Sequence, residues 1–283
     1  MVMSALADMS VYYESVVNGC ADSGVAFGVS RGSASCQIEK EIDEGWNMIK
    51  ISSACYAGHY HINQGKFCED RFAWGKAESH NVIVLCDGAT MARRGRMAAG
   101  MVAEILAEEL KENFERYLYE DPDTVIRELT KRIDETLLLQ AKKDGLADYE
   151  YACTILAAAM NEQGQFLCIH LGDGLILRKR KGKKTFQLVS KPENILLPNR
   201  TYLTRNCSLF QHLRLYRWYQ EDTEKILLLT DGAKNILFSP VGLGGKYACR
   251  LPWGNSGEEL QAYLSRYEGI AMDDYSFAML ERR

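Results

Sequence analysis

Apolar positions along this chain follow two periods, and the switches between them divide it into runs. The segment "NMIKISSACYAG" (47–58) is the first sustained strand pattern, "HYHINQGKFCEDRFAW" (59–74) reads as a loop and then a strand, and "NVIVLCDG" (81–88) as a further strand. From Arg94 the period changes. Met97, Met101, Ile105, Leu106, Leu110 and Phe114 fall at helical spacing with Glu and Arg between them. A second helix is predicted over 121–145, with Pro122 in its first turn, Asp144-Gly145 at its end, and one face of Ile126, Leu129, Ile133 and Leu137. Strands then return as "YACTILAAAM" (151–160), "FLCIHLGDGLILRKR" (166–180), "TFQLVS" (185–190), "HLRLYRWY" (212–219) and "KILLLTDG" (225–232). "GAKNIL" and "SGEELQAYLSRY" read as helices, and "DDYSFAMLE" closes the chain as a strand. Strands and helices grouped in runs argue for an α+β layered architecture and against alternating βαβ units, and short strands with tight turns suit antiparallel sheets. Residues 1–45 are weakly patterned and read as an N-terminal extension; 46–283 read as one domain.

Composition changes this picture little. The hydrophobic content of 47% and charged content of 25% are those of an ordinary globular protein, and a net charge of −4 implies no general attraction to nucleic acid or an acidic membrane. The basic run "RKRKGKK" (178–184) has a Gly in its middle and lies between two strands, so a solvated hairpin tip is expected there. The nine cysteines are scattered without a CxxC pair or zinc spacing, and several lie in apolar strands, which points to a reducing compartment. The N-terminal stretch has no basic segment followed by an apolar core, and no run is long enough to span a membrane. A cytoplasmic location is expected.

Three apolar runs end in the same dipeptide, at Asp87-Gly88, Asp173-Gly174 and Asp231-Gly232. Asp-Gly is a favoured turn pair, and the turn reading is strong at Asp173, where a strand resumes. It is weaker at Asp87 and Asp231, which lead into helices. Two further acidic pairs, Glu69-Asp70 and Asp273-Asp274, also flank strands. Carboxylates gathered at strand ends repel one another, by about 4 kcal/mol per pair at 4 Å and an effective dielectric near 20. A shared site therefore needs protonation or a divalent cation. Oxygen donors without His or Cys suit Mg²⁺ or Mn²⁺.

The ordered set "CEDRF", "VLCDGA", "YACTILAAAM", "IHLGDGLILR", "ILLLTDGA" and "DDYSFAML" resembles the metal-dependent (PPM, type 2C) serine/threonine protein phosphatases, most closely their bacterial branch, over roughly residues 50–281. The resemblance implies two antiparallel sheets packed face to face with helices outside. It implies hydrolysis of phosphoserine and phosphothreonine by a hydroxide bridging two Mn²⁺ or Mg²⁺ ions. Asp87 would bridge the ions with the Gly88 carbonyl as a further ligand, and Asp231 and Asp273 would complete the metal set. Glu69 and Asp70 would hold metal-bound waters, and Asp173 would help hold a looser third ion. Phosphorylated proteins in a serine/threonine kinase pathway would be the partners of a monomeric enzyme, and a flap-like segment at about 190–222, with Arg200, Arg205 and Arg214, would shape substrate choice. Two positions depart from the pattern. Ala89 stands where many relatives have His, and Gly65 where many have the phosphate-holding Arg, which leaves Lys66 as the nearby cation. His59 and His61 lie just upstream, with a surface or structural role favoured for them. The missing Arg and His counterparts leave one alternative, a non-catalytic relative that binds a phosphoprotein or kinase, although that role does not require the full set of acids retained here.

Overall fold

Most strands are apolar on both faces because both faces are covered. The computed structural model describes residues 36–40, 49–193, 201–238, 248–249 and 256–282. The rest of the expected extension, the first residues of the first expected strand, Arg200 and part of the flap-like segment lie outside them. The chain runs β1 (Cys36–Lys40), β2 (Ile49–Tyr56), α1 (His59–Asn63), β3 (Arg71–Lys76), β4 (His80–Cys86), α2 (Gly95–Tyr119) and α3 (Pro122–Asp144). It continues through β5 (Ile155–Asn161), β6 (Phe166–Leu171), β7 (Leu175–Arg180), β8 (Phe186–Ser190), α4 (Leu209–His212), β9 (Arg214–Trp218) and β10 (Thr223–Leu229). The last elements are α5 (Asp231–Leu237), β11 (Ala248–Cys249), α6 (Gly257–Leu264) and β12 (Tyr275–Arg282).

These strands make two antiparallel sheets. One has the order β1-β2-β12-β10-β7-β8-β11 and the other β3-β4-β5-β6-β9. Alternate residues of each strand serve different layers. In β4, Val82, Val84 and Cys86 face α2 and α3, whereas Ile83 and Leu85 face the other sheet and meet Ile226, Leu228, Ala278 and Leu280. In β10, Leu227 and Leu229 turn outward to Leu260 and Leu264 of α6. The result is a helix–sheet–sheet–helix sandwich with three apolar seams, the arrangement that the family resemblance implied and with which the α+β patterning agrees.

Local signals account for most element ends. Asp121 accepts a hydrogen bond from the Thr124 amide to start α3, Pro122 occupies its first turn, and Gly145 at φ 65° ends it. Ser256 and Glu259 form a capping box on α6. The basic run does form a hairpin, with exposed Lys181, Lys183 and Lys184 around Gly182 at φ 73°. Arg178 and Lys179 are instead buried and paired with Asp222 and Glu224. The core face of α3 runs through Val125, Leu129, Ile133, Leu137 and Ala141, and Ile126 is displaced to its flank. β1 adds an edge strand to β2 from within the stretch of weak patterning. No described helix is long and apolar enough to cross a membrane.

Candidate active site

Strand register brings the acidic residues to one end of the sandwich. Arg71 pairs with Cys86, so Asp70 and Asp87 stand side by side just beyond the β3–β4 ladder. In the other sheet Leu229 pairs with both Leu175 and Phe277. Asp231, Asp173 and the Asp273-Asp274 pair, each at most four residues beyond those partners, therefore leave the sheet at the same end. The two groups meet across the sandwich: the carboxyl of Asp87 feels Asp70 from its own sheet and Asp231, Asp273 and Asp173 from the other.

Backbone locks hold these side chains in place. The Asp87 amide donates to Thr154 Oγ1 (3.1 Å), and the Thr154 amide donates to the Asp87 carbonyl (2.8 Å). A Cβ on Gly88 would lie 2.6 Å from the Gly95 carbonyl carbon, and one on Gly95 would lie 2.6 Å from the Ala89 carbonyl oxygen. The two glycines let the loop press on the start of α2, a steric need besides any approach of the Gly88 carbonyl to an ion. Thr230 Oγ1 donates to Asp70 Oδ2 (3.2 Å) and accepts from the Ser276 amide (2.9 Å). Gly232 sits so close to β12 that a Cβ would stand 2.0 Å from the Asp274 carbonyl oxygen. Gly232→Ala is therefore expected to destabilise the fold by about 2 kcal/mol or more, since backbone cannot rotate out of the way as a side chain can. Urea titration reads this directly, and an unshifted midpoint would show that the contact relaxes.

Burial and mutual repulsion dominate the electrostatics. Asp70 is completely buried, and desolvation followed by the charge of Asp274 pushes its carboxyl up to about 8. Asp87 is raised well above the usual carboxylate range by burial, then by Asp70, Asp231, Asp273 and Asp173. Asp173 is pushed up to about 6 by burial and Asp231, with Lys234 opposing. Asp231, Asp273 and Glu69 are raised as well, burial leading in each. Among the described residues no three His, Cys, Asp or Glu side chains already converge on a point that would hold one ion. The donors nonetheless fit a hard divalent cation: they are all oxygen, they raise one another's proton affinity, and Asp70 Oδ1 and Glu69 Oε2 are buried without a hydrogen-bond partner.

Several residues differ in role from the sequence reading. Asp274, given no role of its own by the sequence, is a buried tie. Its Oδ1 accepts from the Gly58 amide (2.7 Å) and its Oδ2 from the Glu69 amide (2.6 Å). His61 is buried between Asp274 (2.9 Å) and Glu69 (3.7 Å), a structural position that carries it away from any leaving group in solvent. Lys66 is exposed after α1 and reaches the cluster only through its field on Glu69. Gly65 has a positive φ of 65° with nothing near its Cβ position, so that turn favours glycine over arginine. Arg205, expected on a flap, is bound to Asp134 and Asp148. Arg214 lies in β9 and pairs with Glu193. Thr154, Thr230 and Lys234 were not singled out by sequence; their signal is adjacency to the acidic motifs and nothing more.

A sequence profile described as protein phosphatase 2C matches residues 57–265, well over half the chain. The chain belongs to the protein phosphatase 2C family. Among solved structures, the serine/threonine phosphatase of S. agalactiae superposes with a TM-score of 0.57 at 16% identity, covering 83% of this chain and 100% of that one. Serine/threonine phosphatase Stp1 from Staphylococcus aureus gives 0.55 at 16%, covering 87% and 100%. RsbX, solved in complex with magnesium, gives 0.53 at 15%, covering 85% and 98%. At these identities the structural likeness speaks for the fold, which is the two-sheet, helix-flanked sandwich of 2C-type phosphatases. Among curated proteins no sequence match was found.

Proposed function

We propose that this 2C-family protein is a divalent-metal-dependent phosphatase that removes phosphate from phosphoserine and phosphothreonine in proteins. The observation that carries this reading is the carboxylate cluster drawn from both sheets, with a buried Asp70 oxygen left without a partner. Asp87, Asp231 and Asp273, with the Gly88 carbonyl, would hold two Mn²⁺ or Mg²⁺ ions. Such a pair, when bound, supplies a hydroxide-strength nucleophile at neutral pH and draws charge from a phosphoryl oxygen.

The chain's own groups do the rest. Asp70, fixed by Thr230, and Glu69, fixed through its amide by Asp274, orient water in the site by accepting its hydrogens. Attack by a water oxygen on phosphorus breaks the bond to the serine or threonine oxygen, which takes up a proton as it leaves. Ala89 has no proton to give and His61 is tied between Asp274 and Glu69, so we assign that proton to water in the site. The substrate class follows the family, a serine/threonine kinase pathway would supply it, and the enzyme would act as a monomer in the cytoplasm. Cys55, Cys68, Cys86, Cys153, Cys168 and Cys207 are free thiols, which supports a reducing compartment.

A phosphoserine peptide incubated with the full chain should release phosphate in Mn²⁺ and not in excess chelator. Tight peptide binding without release would favour the alternative, a non-catalytic regulator. Arg205 itself is read as a structural tie and not as a substrate contact on that flap-like segment. Arg205→Ala should lower Tm by a few degrees, through loss of its tie to α3, while leaving the ratio of peptide to aryl phosphate turnover unchanged. A selective loss of peptide turnover would restore Arg205 to substrate recognition.

A further inference from the structure

Lys234 is an unforeseen cation in the acidic site. It stands one turn into α5 from Asp231, and its ammonium donates to the Asp173 carbonyl at 2.8 Å. That carbonyl belongs to a fixed loop. A Cβ on Gly172 would meet the Thr154 side chain at 2.8 Å, and one on Gly174 would meet the Leu229 carbonyl oxygen at 2.8 Å, so the loop is pressed against both sheets. The ammonium is thus held in place, and its field acts on two carboxylates, Asp173 and Asp231. Asp87 is raised first by burial and then by four carboxylates, Asp70, Asp231, Asp273 and Asp173. The cation of the site is therefore anchored at one place, the Asp173 loop.

We propose that the Lys234 ammonium is a built-in counter-ion that closes the Asp173 flank to divalent cations, so that metal is confined to the side formed by Asp70, Asp87, Asp231 and Asp273. The proposal rests on the metal-dependent reading above. It gives Asp173 a different role from the looser metal ligand that its "GDG" context suggested. A monovalent ammonium placed beside Asp173 satisfies part of the negative field there and repels a doubly charged ion that would share the same carboxylate. Asp231 shares the field of this ammonium, and the repulsion of Asp70 and Asp87 with their acidic neighbours is relieved by protons or by added cations.

The test counts Mn²⁺ bound per full-length chain by equilibrium dialysis with elemental analysis, which does not depend on turnover. The wild type is expected to hold two ions, and Asp173→Asn also two. Lys234→Met, which keeps the length and removes the charge, should hold three, and Lys234→Arg should hold two. The double variant Lys234→Met with Asp173→Asn should return to two. A wild-type count of three that falls in Asp173→Asn overturns the proposal, as does an unchanged count in a Lys234→Met protein with a normal melting transition. If Lys234→Met does not fold, the Asp173→Asn count decides alone. A wild-type chain that holds no Mn²⁺ overturns the metal-dependent reading itself, and is distinguished from the other failures by the absence of binding in every variant.

Discussion

An Asp87→Asn protein is expected to fold normally and to lose at least about a hundredfold of its Mn²⁺-dependent phosphate release, since each 1.36 kcal/mol of lost transition-state stabilisation is tenfold in rate. The fold is expected to survive because the backbone at this position is held without the side chain. Its amide and carbonyl are both bonded to Thr154, and Gly88 is seated against Gly95. Asparagine fits the same space and removes one of five mutually repelling acids, so the metal-free protein should be no less stable. What is lost is the negative charge and the second anionic oxygen, which an amide cannot replace in a site built for divalent cations. The competing view, that Asp87-Gly88 is a turn chosen for its backbone, predicts almost no effect, because Asn before Gly serves a turn equally well. The chain after Asp87 enters α2 and does not return as a hairpin strand, which already weighs against the turn. Near-normal turnover by a folded Asp87→Asn chain would decide for it.

How far the sequence carried the argument depended on the distance over which each interaction acts. Strand and helix periods in β4, β5, β10, α2 and α3 were legible because alternation and helical spacing are local and both faces of these strands are buried. The positions of Asp87, Asp231 and Asp273 at the ends of strands were legible because each follows or precedes an apolar run. The role of Asp274 was not, because its partners, the amides of Gly58 and Glu69, lie more than 200 residues away. The same holds for His61, which reads as an ordinary histidine after a strand until Asp274 is brought beside it. Arg205 looked like a free cation on a polar loop because its partners on and after α3 are out of local view. Lys234 was hidden for a different reason. One turn after Asp231 it fits the exposed side of a short helix, and only the crossing of the Asp173 loop between the sheets turns it into the site. Local pattern reports elements; it does not report what the folded ends of those elements touch.

The metal-free protein is expected to lose thermal stability as pH rises from about 4 to about 8, and saturating Mn²⁺ is expected to remove most of that loss. Asp70 has an ordinary carboxyl value of 3.8 in the unfolded chain and is pushed up to about 8 in the folded one. Between those values the folded state binds the extra proton and the unfolded state does not. Raising pH then favours unfolding, so this contribution is complete below the lower value and gone above the upper one. At 1.36 kcal/mol per unit, the span from 3.8 to about 8 corresponds to a ceiling of about 6 kcal/mol for Asp70. Asp173, pushed up to about 6, steepens the lower half of the same window. These acids share one repulsion, so their contributions do not add in full. A fall in Tm of several degrees between pH 5 and pH 8.5 is the measurable result. Bound Mn²⁺ replaces protons as the source of positive charge and competes with them, so the Mn²⁺-induced rise in Tm should be small at pH 5 and largest above pH 8. Asp70→Asn separates this from a general acid effect. It should flatten the metal-free pH profile, because the buried group no longer ionises, and it should also shrink the Mn²⁺ response, because the unpartnered buried oxygen is no longer anionic. A Tm that ignores both pH and Mn²⁺ in the wild type would mean that the carboxylates at this end of the sandwich do not act as one charged site, and the metal-dependent reading would fall with it.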